Sequence, residues 1–274
     1  MASLTLQALR LRSVSTYALD NTQPQTEQRF GSLETCYDPV TIRHLDTIGV
    51  DDGWRCLEVG GGGGSIARWL SRRVGATGSV LVTDIEPRWM AGLEEPNVEV
   101  RVHDIVNDPL PEAAFDLVHA RLVLVHLPGR RRALDSMLRA LRPGGWVLLE
   151  EFVHPFPLDL RGVGPEEAAC FERVNDAIVE LIAESGADMD WGRQAYGALR
   201  ERGCTEVAAE GFFEVWAGGS TGIRLHRANC DQLAERIVAS GRADPADLDT
   251  FRRLLDDTAL TVNSQLLIST RGRH

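Results

Sequence analysis

Residues 56–70 read CLEVGGGGGSIARWL, with five consecutive glycines between an apolar run and an amphipathic one. The apolar residues predict a buried strand over Arg55–Val59, and the spacing that follows predicts a helix from Ser65 to about Val74. Glycines between a buried strand and a helix allow a tight turn and bring a ligand close to main-chain N–H groups. The positive end of the helix dipole lies at the same place, so we expect an anionic group to bind there.

The glycine spacing by itself leaves the ligand open. Gly60, Gly62 and Gly64 give the pattern GxGxG, whereas Gly62, Gly64 and Ala67 also satisfy GxGxxA. The pyrophosphate of a dinucleotide and the amino-acid end of S-adenosylmethionine both fit such a turn. A glycine-rich turn without a ligand is a third interpretation.

Strand and helix signals alternate along the middle of the chain. This alternation predicts an α/β protein in which a parallel sheet has helices on both faces. The predicted elements after the first helix are strands at Ser79–Asp84, Val98–His103, Phe115–Arg121 and Trp146–Phe152, helices near Arg88–Leu93 and at Arg130–Leu141, and a turn at Arg142–Gly145 (RPGG).

Two later segments are longer than simple connections and are predicted to be insertions over the ligand site. We interpret the chain as one domain, 1–274, with an N-terminal helical arm at 1–40, a cofactor-binding core at 41–154, and substrate-cap insertions at 155–190 and 218–257. The predicted elements in this half are helices at Glu166–Ala183, Trp191–Arg202, Thr221–Ala239 and Pro245–Asp256, and strands at Glu206–Trp216 and Leu260–Ser269.

Three acidic residues lie at the ends of predicted strands. Glu58 comes two residues before the first motif glycine, where a carboxylate could meet an ammonium group. Asp84 ends the second strand, about twenty residues after the glycines, where a carboxylate can accept hydrogen bonds from ribose hydroxyls. Asp104 ends the third strand, where it could bind an adenine amine.

Five segments in order resemble the class I S-adenosylmethionine-dependent methyltransferases, specifically the small-molecule type of bacterial secondary metabolism. They are LEVGGGGG, VTDIEP, HDI, FDLVHARLVLVHL and LRPGGWVLLEE, and the resemblance covers about residues 45–152. It implies a Rossmann-like, seven-stranded, mostly parallel sheet with helical cap insertions. It also implies methyl transfer from S-adenosylmethionine to an oxygen, nitrogen or carbon atom of a small metabolite, in natural-product biosynthesis.

The resemblance assigns the amino-acid end of the cofactor to the first and fourth strands. Gly60, Gly62 and Gly64 would lie beside the methionine moiety, with Glu58 near its ammonium group. Arg121, at the end of the fourth strand, would lie beneath the sulfonium and use mainly its backbone carbonyl.

The nucleoside end is assigned to the second and third strands. Asp84 would hold the ribose, and Ile85 would pack on adenine. Asp104 and Ile105 would recognise the edge of the adenine ring.

Candidate catalytic groups follow the fifth strand or lie in the arm. His154 has a near-neutral reference pKa and is the predicted general base. Glu151 is a second candidate, and strand alternation allows only one of Glu150 and Glu151 to face a given side. Tyr17 resembles a lid tyrosine near the methyl group. Arg29 is expected to be exposed, with the cofactor carboxylate as its alternative partner.

Composition excludes several other classes of protein. The formal charge of −11 argues against nucleic acid and anionic membrane surfaces as partners. No apolar run reaches the roughly 18 residues that span a bilayer, and no signal peptide is recognised, so we expect a cytoplasmic protein, with a homodimer as a hypothesis. The five scattered cysteines lack metal-ligand spacing. His119, His126 and His226 lack it too and are expected to be core or surface residues, so no metal is expected.

Three other functions compete with methyl transfer. A cyclase or lyase could bind S-adenosylmethionine without transferring its methyl group. A nucleotide-dependent oxidoreductase would use the glycine turn for a dinucleotide, although the RPGG turn and Asp104 argue against it. A binding module without turnover is the last alternative.

Overall fold

The computed structural model describes residues 17–274, so residues 1–16 of the predicted arm lie outside the described residues. The strands are β1 (Arg55–Val59), β2 (Ser79–Asp84), β3 (Val98–Val102), β4 (Phe115–Arg121), β5 (Leu141–Val153), β6 (Thr205–Phe212), β7 (Val215–Ala217), β8 (Thr261–Asn263) and β9 (Leu266–Arg273). The α-helices are α1 (Gln25–Ile48), α2 (Ser65–Val74), α3 (Arg130–Ala140), α4 (Pro165–Glu184), α5 (Trp191–Glu201), α6 (Ile223–Ala239) and α7 (Pro245–Asp256).

Seven strands form one sheet in the order β3-β2-β1-β4-β5-β9-β6. The first five are mutually parallel, and β9 runs antiparallel to both of its neighbours. This arrangement confirms the predicted Rossmann-like, mostly parallel α/β fold. The chain leaves β1 toward β2 on one side and returns to β4 on the other, so the strand order reverses at β1. Ligands of open α/β sheets bind outside the carboxyl ends of the strands at such a reversal.

Helices cover both faces of the sheet, as the apolar pattern predicts. On one face Ile66, Leu70 and Val74 of α2 pack with the C-terminal half of α1 against alternate residues of β1, β2, β4 and β5. On the other face α3 and α5 pack against the intervening residues. Both faces of β1, β2, β4 and β5 are therefore buried, which explains their largely apolar sequences, whereas the edge strand β3 is mostly exposed.

The RPGG segment is not a separate turn before the fifth strand. Strand β5 begins at Leu141, and its register with β4 moves from Phe115–Leu141 to Leu117–Trp146. Residues 142–145 therefore form an outward bulge, in which Gly144 has a φ of +80°. Such a bulge adds residues to one strand without ending its pairing.

Three other predicted elements differ in the structure. The predicted strands Glu206–Trp216 and Leu260–Ser269 are each divided in two, giving β6 and β7, and β8 and β9. The division occurs where Ser264 N donates a hydrogen bond to Glu214 O, and β7 then pairs with β8 in a separate two-stranded sheet. The predicted helix Arg88–Leu93 is a short 3-10 helix over Pro87–Met90, which begins at a proline.

The two predicted insertions contain α4, α6 and α7, which pack on one another and on α1 around a third apolar cluster. The division predicted after residue 40 falls inside α1, which is continuous to Ile48. Within residues 17–274, no helix has the length and apolar character needed to cross a membrane. A cytoplasmic location and a homodimer stay predictions.

Candidate active site

The glycine run forms the turn between β1 and α2. Gly60, Gly62 and Gly64 all have positive φ, of +72°, +54° and +84°, which other residues rarely adopt. A Cβ on Gly61 would overlap the side chains of Val82 and Met90, so this position lacks space rather than conformational freedom. Steric packing thus explains a glycine that the spacing of the motif does not require.

Glu58 is buried directly beneath this turn. Glu58 is only 5% exposed, and its Oε2 has no hydrogen-bond partner among the described residues. Burial raises the pKa of this carboxyl to about 7, against a partial opposing effect from His119, whose Nδ1 lies 3.9 Å from Oε1. A cation placed beside Oε2 would favour the ionised carboxylate and provide the missing partner.

His119, which sequence reasoning assigned to the core or surface, joins Glu58 to a second buried acid. Its Nε2 lies 3.3 Å from Glu150 Oε2, and Ser269 Oγ and Thr41 Oγ1 also donate hydrogen bonds to Glu150. Burial alone would raise the pKa of Glu150, but the hydrogen bond and charge of His119 lower it to about 2. Glu150 is therefore an ionised structural residue in the centre of the sheet.

The segment from Tyr17 to Phe30 covers the carboxyl ends of three strands. At the end of β1, the Phe30 ring lies 3.7 Å from the point that a Cβ on Gly62 would occupy. At the end of β2, Trp89 Nε1 donates a hydrogen bond to Asn21 O at 2.7 Å. The Tyr17 ring contacts His126, after β4, edge-on at 4.7 Å. Residues 17–30 of the predicted arm therefore lie over the strand ends of their own chain.

Arg29 is 3% exposed, so the expectation of an exposed arginine is wrong. Its guanidinium donates to Tyr17 Oη at 2.9 Å, to Asn21 Oδ1 and to Leu19 O, and it lies 5.3 Å from the centre of the Phe30 ring. Within residues 17–274 no carboxylate lies within 4 Å of it, and Nε has no hydrogen-bond partner. A buried guanidinium with only neutral partners is suited to an incoming anion.

Asp84 and Ile85 lie at the end of β2, beside the turn. Asp84 is 9% exposed; its Oδ1 accepts from Glu86 N at 2.8 Å, and its Oδ2 has only a long contact of 3.4 Å from Gly62 N. Burial raises the pKa of this carboxyl. The Ile85 side chain is 61% exposed, which is unusual for isoleucine and leaves an apolar surface beside the acid.

Replacing Asp84 with Asn tests its role as a ribose ligand. We expect Asp84→Asn to weaken binding of S-adenosylhomocysteine, measured by isothermal titration calorimetry, by about 1–3 kcal/mol, because hydrogen bonds to a charged acceptor are lost. Asp116→Asn is a matched control, since Asp116 is also buried and accepts a hydrogen bond from a backbone N–H at 2.7 Å. Asp116 lies at the amino ends of the strands, away from the ligand site. Equal affinity for the two variants would remove Asp84 from the ligand site.

Asp104 and Ile105 follow β3. Both carboxylate oxygens of Asp104 accept hydrogen bonds within the following turn, from Val106 N at 2.9 Å and Asn107 Nδ2 at 2.6 Å. The Ile105 side chain is buried in the core on the α3 face. The structure thus gives both residues a local structural role, and recognition of adenine by them stays a prediction.

Arg121, at the end of β4, reaches α1 with its side chain. Nη2 donates to Asp38 Oδ1 at 2.8 Å and Nη1 donates to Thr41 Oγ1 at 2.9 Å. The ion pair is largely buried, with Arg121 12% and Asp38 19% exposed. It holds α1 against the strand ends, and the predicted use of the Arg121 carbonyl stays a prediction.

The two predicted base candidates, Glu151 in β5 and His154 directly after it, have different surroundings. Glu151 faces away from Glu150, as strand alternation predicts, and its Oε1 accepts from Leu124 N at 2.9 Å. Burial raises the pKa of Glu151 to about 8. His154 instead lines a cavity between β5 and the cap helices. Tyr17 accepts a hydrogen bond from Arg29 and contacts the His126 ring after β4.

Comparison with known proteins agrees with this geometry. Residues 57–149 match the family described as a methyltransferase domain. A ubiquinone/menaquinone biosynthesis C-methyltransferase from Laribacter hongkongensis is 37% identical over 114 residues, which are 39% of this chain and 47% of that protein. The match assigns residues 57–149 to a methyltransferase domain. It spans about half the length of the curated relatives it matches.

Solved structures extend the likeness in fold to most of this chain. A phosphoethanolamine N-methyltransferase from Haemonchus contortus superposes with a TM-score of 0.57 at 14% identity, covering 93% of this chain and 59% of that one. A putative methyltransferase from Bacillus halodurans gives a TM-score of 0.53 at 18% identity, covering 84% and 97%. At these identities the likeness concerns the fold alone.

The residues at the strand ends fit S-adenosylmethionine. Its amino-acid end carries one ammonium and one carboxylate, and the site has a buried carboxyl with an unpartnered oxygen, Glu58, and a buried guanidinium with an unpartnered nitrogen, Arg29. Glu58 lies just before the glycine turn, Arg29 precedes Phe30, which covers the turn, and Asp84 has an oxygen available for ribose hydroxyls. A dinucleotide pyrophosphate would explain Arg29 but would leave Glu58 without a cation.

Proposed function

We propose that this chain transfers a methyl group from S-adenosylmethionine to an oxygen, nitrogen or carbon atom of a small metabolite. The observation that supports the proposal most directly is a pair of buried ionisable side chains with unpartnered polar atoms, Glu58 before the glycine turn and Arg29 in the segment that covers it. Together they match a zwitterionic amino acid, which S-adenosylmethionine has and a dinucleotide lacks.

Three residues of the chain would each contact a different part of the donor. Glu58 would balance the ammonium of the donor, Arg29 its carboxylate, and Asp84 the ribose hydroxyls. When bound, S-adenosylmethionine supplies an electrophilic methyl group on a sulfonium, so orienting the acceptor accounts for much of the acceleration. The segment from Tyr17 to Phe30 would exclude water, because it covers the ends of β1, β2 and β4.

A base is needed only when the acceptor loses a proton. We propose His154 for that proton, since it lies at the carboxyl end of β5 and lines the adjacent cavity. Tyr17 would orient the acceptor or close the site. Glu151 is not proposed, because its carboxyl is directed to the backbone after β4.

The biological setting is also part of the proposal. The sequence motifs favour natural-product biosynthesis, whereas the curated relatives are named for ubiquinone and menaquinone biosynthesis. Because those relatives match over only about half their length, they do not determine the acceptor. Their names make a carbon atom the first acceptor to test.

Incubation of the purified chain with S-adenosylmethionine and a metabolite panel tests this function. We expect S-adenosylhomocysteine to form only when an acceptor is present, together with a product heavier by one methylene unit, both measured by mass spectrometry. A product formed without S-adenosylhomocysteine would instead indicate a cyclase or lyase. Failure of S-adenosylhomocysteine to bind in calorimetry would contradict the proposal altogether.

A further inference from the structure

A cavity of about 70 Å³ lies between the carboxyl end of β5 and the helices α4 and α6. Its apolar wall comes from β5, the loop after it and α4, and includes Phe152, Phe156 and Ile178. Its polar wall comes from α6 and the β8–β9 connection. The lining, which lies entirely within residues 152–265, includes no Asp, Glu or Arg side chain.

Three polar atoms of this lining are buried without hydrogen-bond partners among the described residues. They are His226 Nε2, Asn229 Oδ1 and Gln265 Oε1. Buried polar atoms are nearly always paired, so three unpaired ones on one small cavity indicate a ligand that pairs them. Two of the three are amide oxygens, which accept hydrogen bonds.

His226 is the most deeply buried of these groups, at 2% exposure. The rings of Phe171 and Trp216 contact its ring edge-on, at 5.7 and 5.8 Å, and fix its orientation. Burial lowers the pKa of His226 to about 4, so the ring is neutral near pH 7. Sequence reasoning placed His226 among core or surface residues, and only its place on the cavity distinguishes it from other buried histidines.

The cavity is close to the proposed transfer site. Strand β5 neighbours β4, which neighbours β1. The register sets Val59 level with Leu149, so Val153, four residues further along β5, lies roughly 15 Å from the glycine turn at ordinary strand spacing and rise. Tyr17, Leu122 and Phe152 pack against one apolar cluster that continues from the covering segment to the cavity wall. The volume is less than half of the roughly 150 Å³ that holds benzene, so the cavity accommodates one end of an acceptor.

We propose that this cavity binds an uncharged, hydrogen-bond-donating end of the methyl acceptor, such as a hydroxyl or primary amide, and that His226 determines this specificity. The inference rests on the proposed methyl transfer. A charged end would lose its hydration without gaining an opposite charge, whereas a neutral donor pairs the amide oxygens and the imidazole.

Four small probes that share one ring test the inference: benzyl alcohol, toluene, benzoate and benzylammonium. Each is titrated against the chain saturated with S-adenosylhomocysteine, and binding is measured by ligand-observed NMR. We expect benzyl alcohol to bind about 5-fold or more tightly than toluene, the scale of one net hydrogen bond, and both ions to bind more weakly than the alcohol. Benzoate or benzylammonium binding as tightly as benzyl alcohol would overturn the inference.

Two variants assign the effect to this cavity. His226→Phe is expected to reduce the preference for benzyl alcohol over toluene to about 1-fold. His44→Phe is the control, because His44 is also 2% exposed and also has an unpartnered Nε2. This variant is expected to keep the preference for benzyl alcohol. An unchanged preference in folded His226→Phe would overturn the role of His226.

Asn229→Asp provides a second test that does not depend on the folding of the histidine variant. A carboxylate in the cavity is expected to make benzylammonium the tightest of the four probes, and an unchanged order would overturn the assignment of the cavity. If S-adenosylhomocysteine itself fails to bind, the proposed function fails. If it binds while the probes are not discriminated, only the inference about the cavity fails.

Discussion

Arg29→Met is expected to weaken binding of S-adenosylhomocysteine by about 2–5 kcal/mol, or roughly 30-fold or more, since it removes the buried partner of a carboxylate. Arg29 has only neutral partners in residues 17–274, so an anion at the unpartnered Nε would meet no competing carboxylate. Arg29→Lys is expected to restore part of the affinity, because an ammonium keeps the charge but not the two-pronged geometry. Isothermal titration calorimetry measures all three affinities.

A second ligand separates a direct role of Arg29 from a structural one. 5′-Methylthioadenosine is the same nucleoside thioether without the amino-acid end, and Arg29→Met is expected to leave its affinity unchanged. Arg43→Met is the control on the same helix, because Arg43 is exposed and pairs with Glu210 on the surface. Equal losses for both ligands would show that Arg29 only supports the covering segment.

Glu151→Gln is expected to stabilise the protein at pH 8. Burial raises the folded-state pKa of Glu151 to about 8 from an ordinary value of 4.5. The folded protein therefore binds a proton more tightly than the unfolded chain, and the stability that this provides is complete below about pH 4.5 and is lost as the pH rises through 8. Glutamine keeps the acceptor for Leu124 N and cannot ionise, so it avoids that loss.

The gain from Glu151→Gln should thus be small below about pH 4.5 and grow to the order of a few kcal/mol above pH 8. Glu150→Gln is a control at the adjacent residue, where the expected change in the free energy of unfolding has the opposite sign. The pKa of Glu150 is lowered to about 2, so its ionised form is stabilising throughout this range, and its loss is expected to be destabilising. Urea unfolding at several pH values measures both differences. A flat difference for Glu151→Gln would contradict a protonated Glu151.

The core of the fold could be predicted from the sequence because its signals are local. Strand β1, the glycine turn and α2 follow one another within 20 residues, and their apolar spacing and glycines specify a buried strand, a tight turn and an amphipathic helix. The second half was predicted less well. The divisions between β6 and β7 and between β8 and β9 depend on the hydrogen bond between Ser264 and Glu214, 50 residues apart, which no local pattern records.

The candidate site shows the same division between local and distant information. Glu58 and Asp84 could be found because each ends a strand at a fixed distance from the glycines. Arg29 and His226 could not be assigned, because their surroundings come from distant elements of the chain. An arginine or histidine in a helical segment is usually exposed or in the core, and only packing shows which atoms lack partners.

The sequence by itself determined the parallel sheet, the turn after β1 and the acids beside it, because hydrophobic period and backbone freedom are properties of neighbouring residues. Only the tertiary structure decided which ionisable groups are charged. Glu150 and Glu151 are adjacent and equally buried, yet the pKa of one is lowered and that of the other is raised. The difference arises because His119 and Ser269 face one side of β5, whereas only backbone N–H groups face the carboxyl on the other.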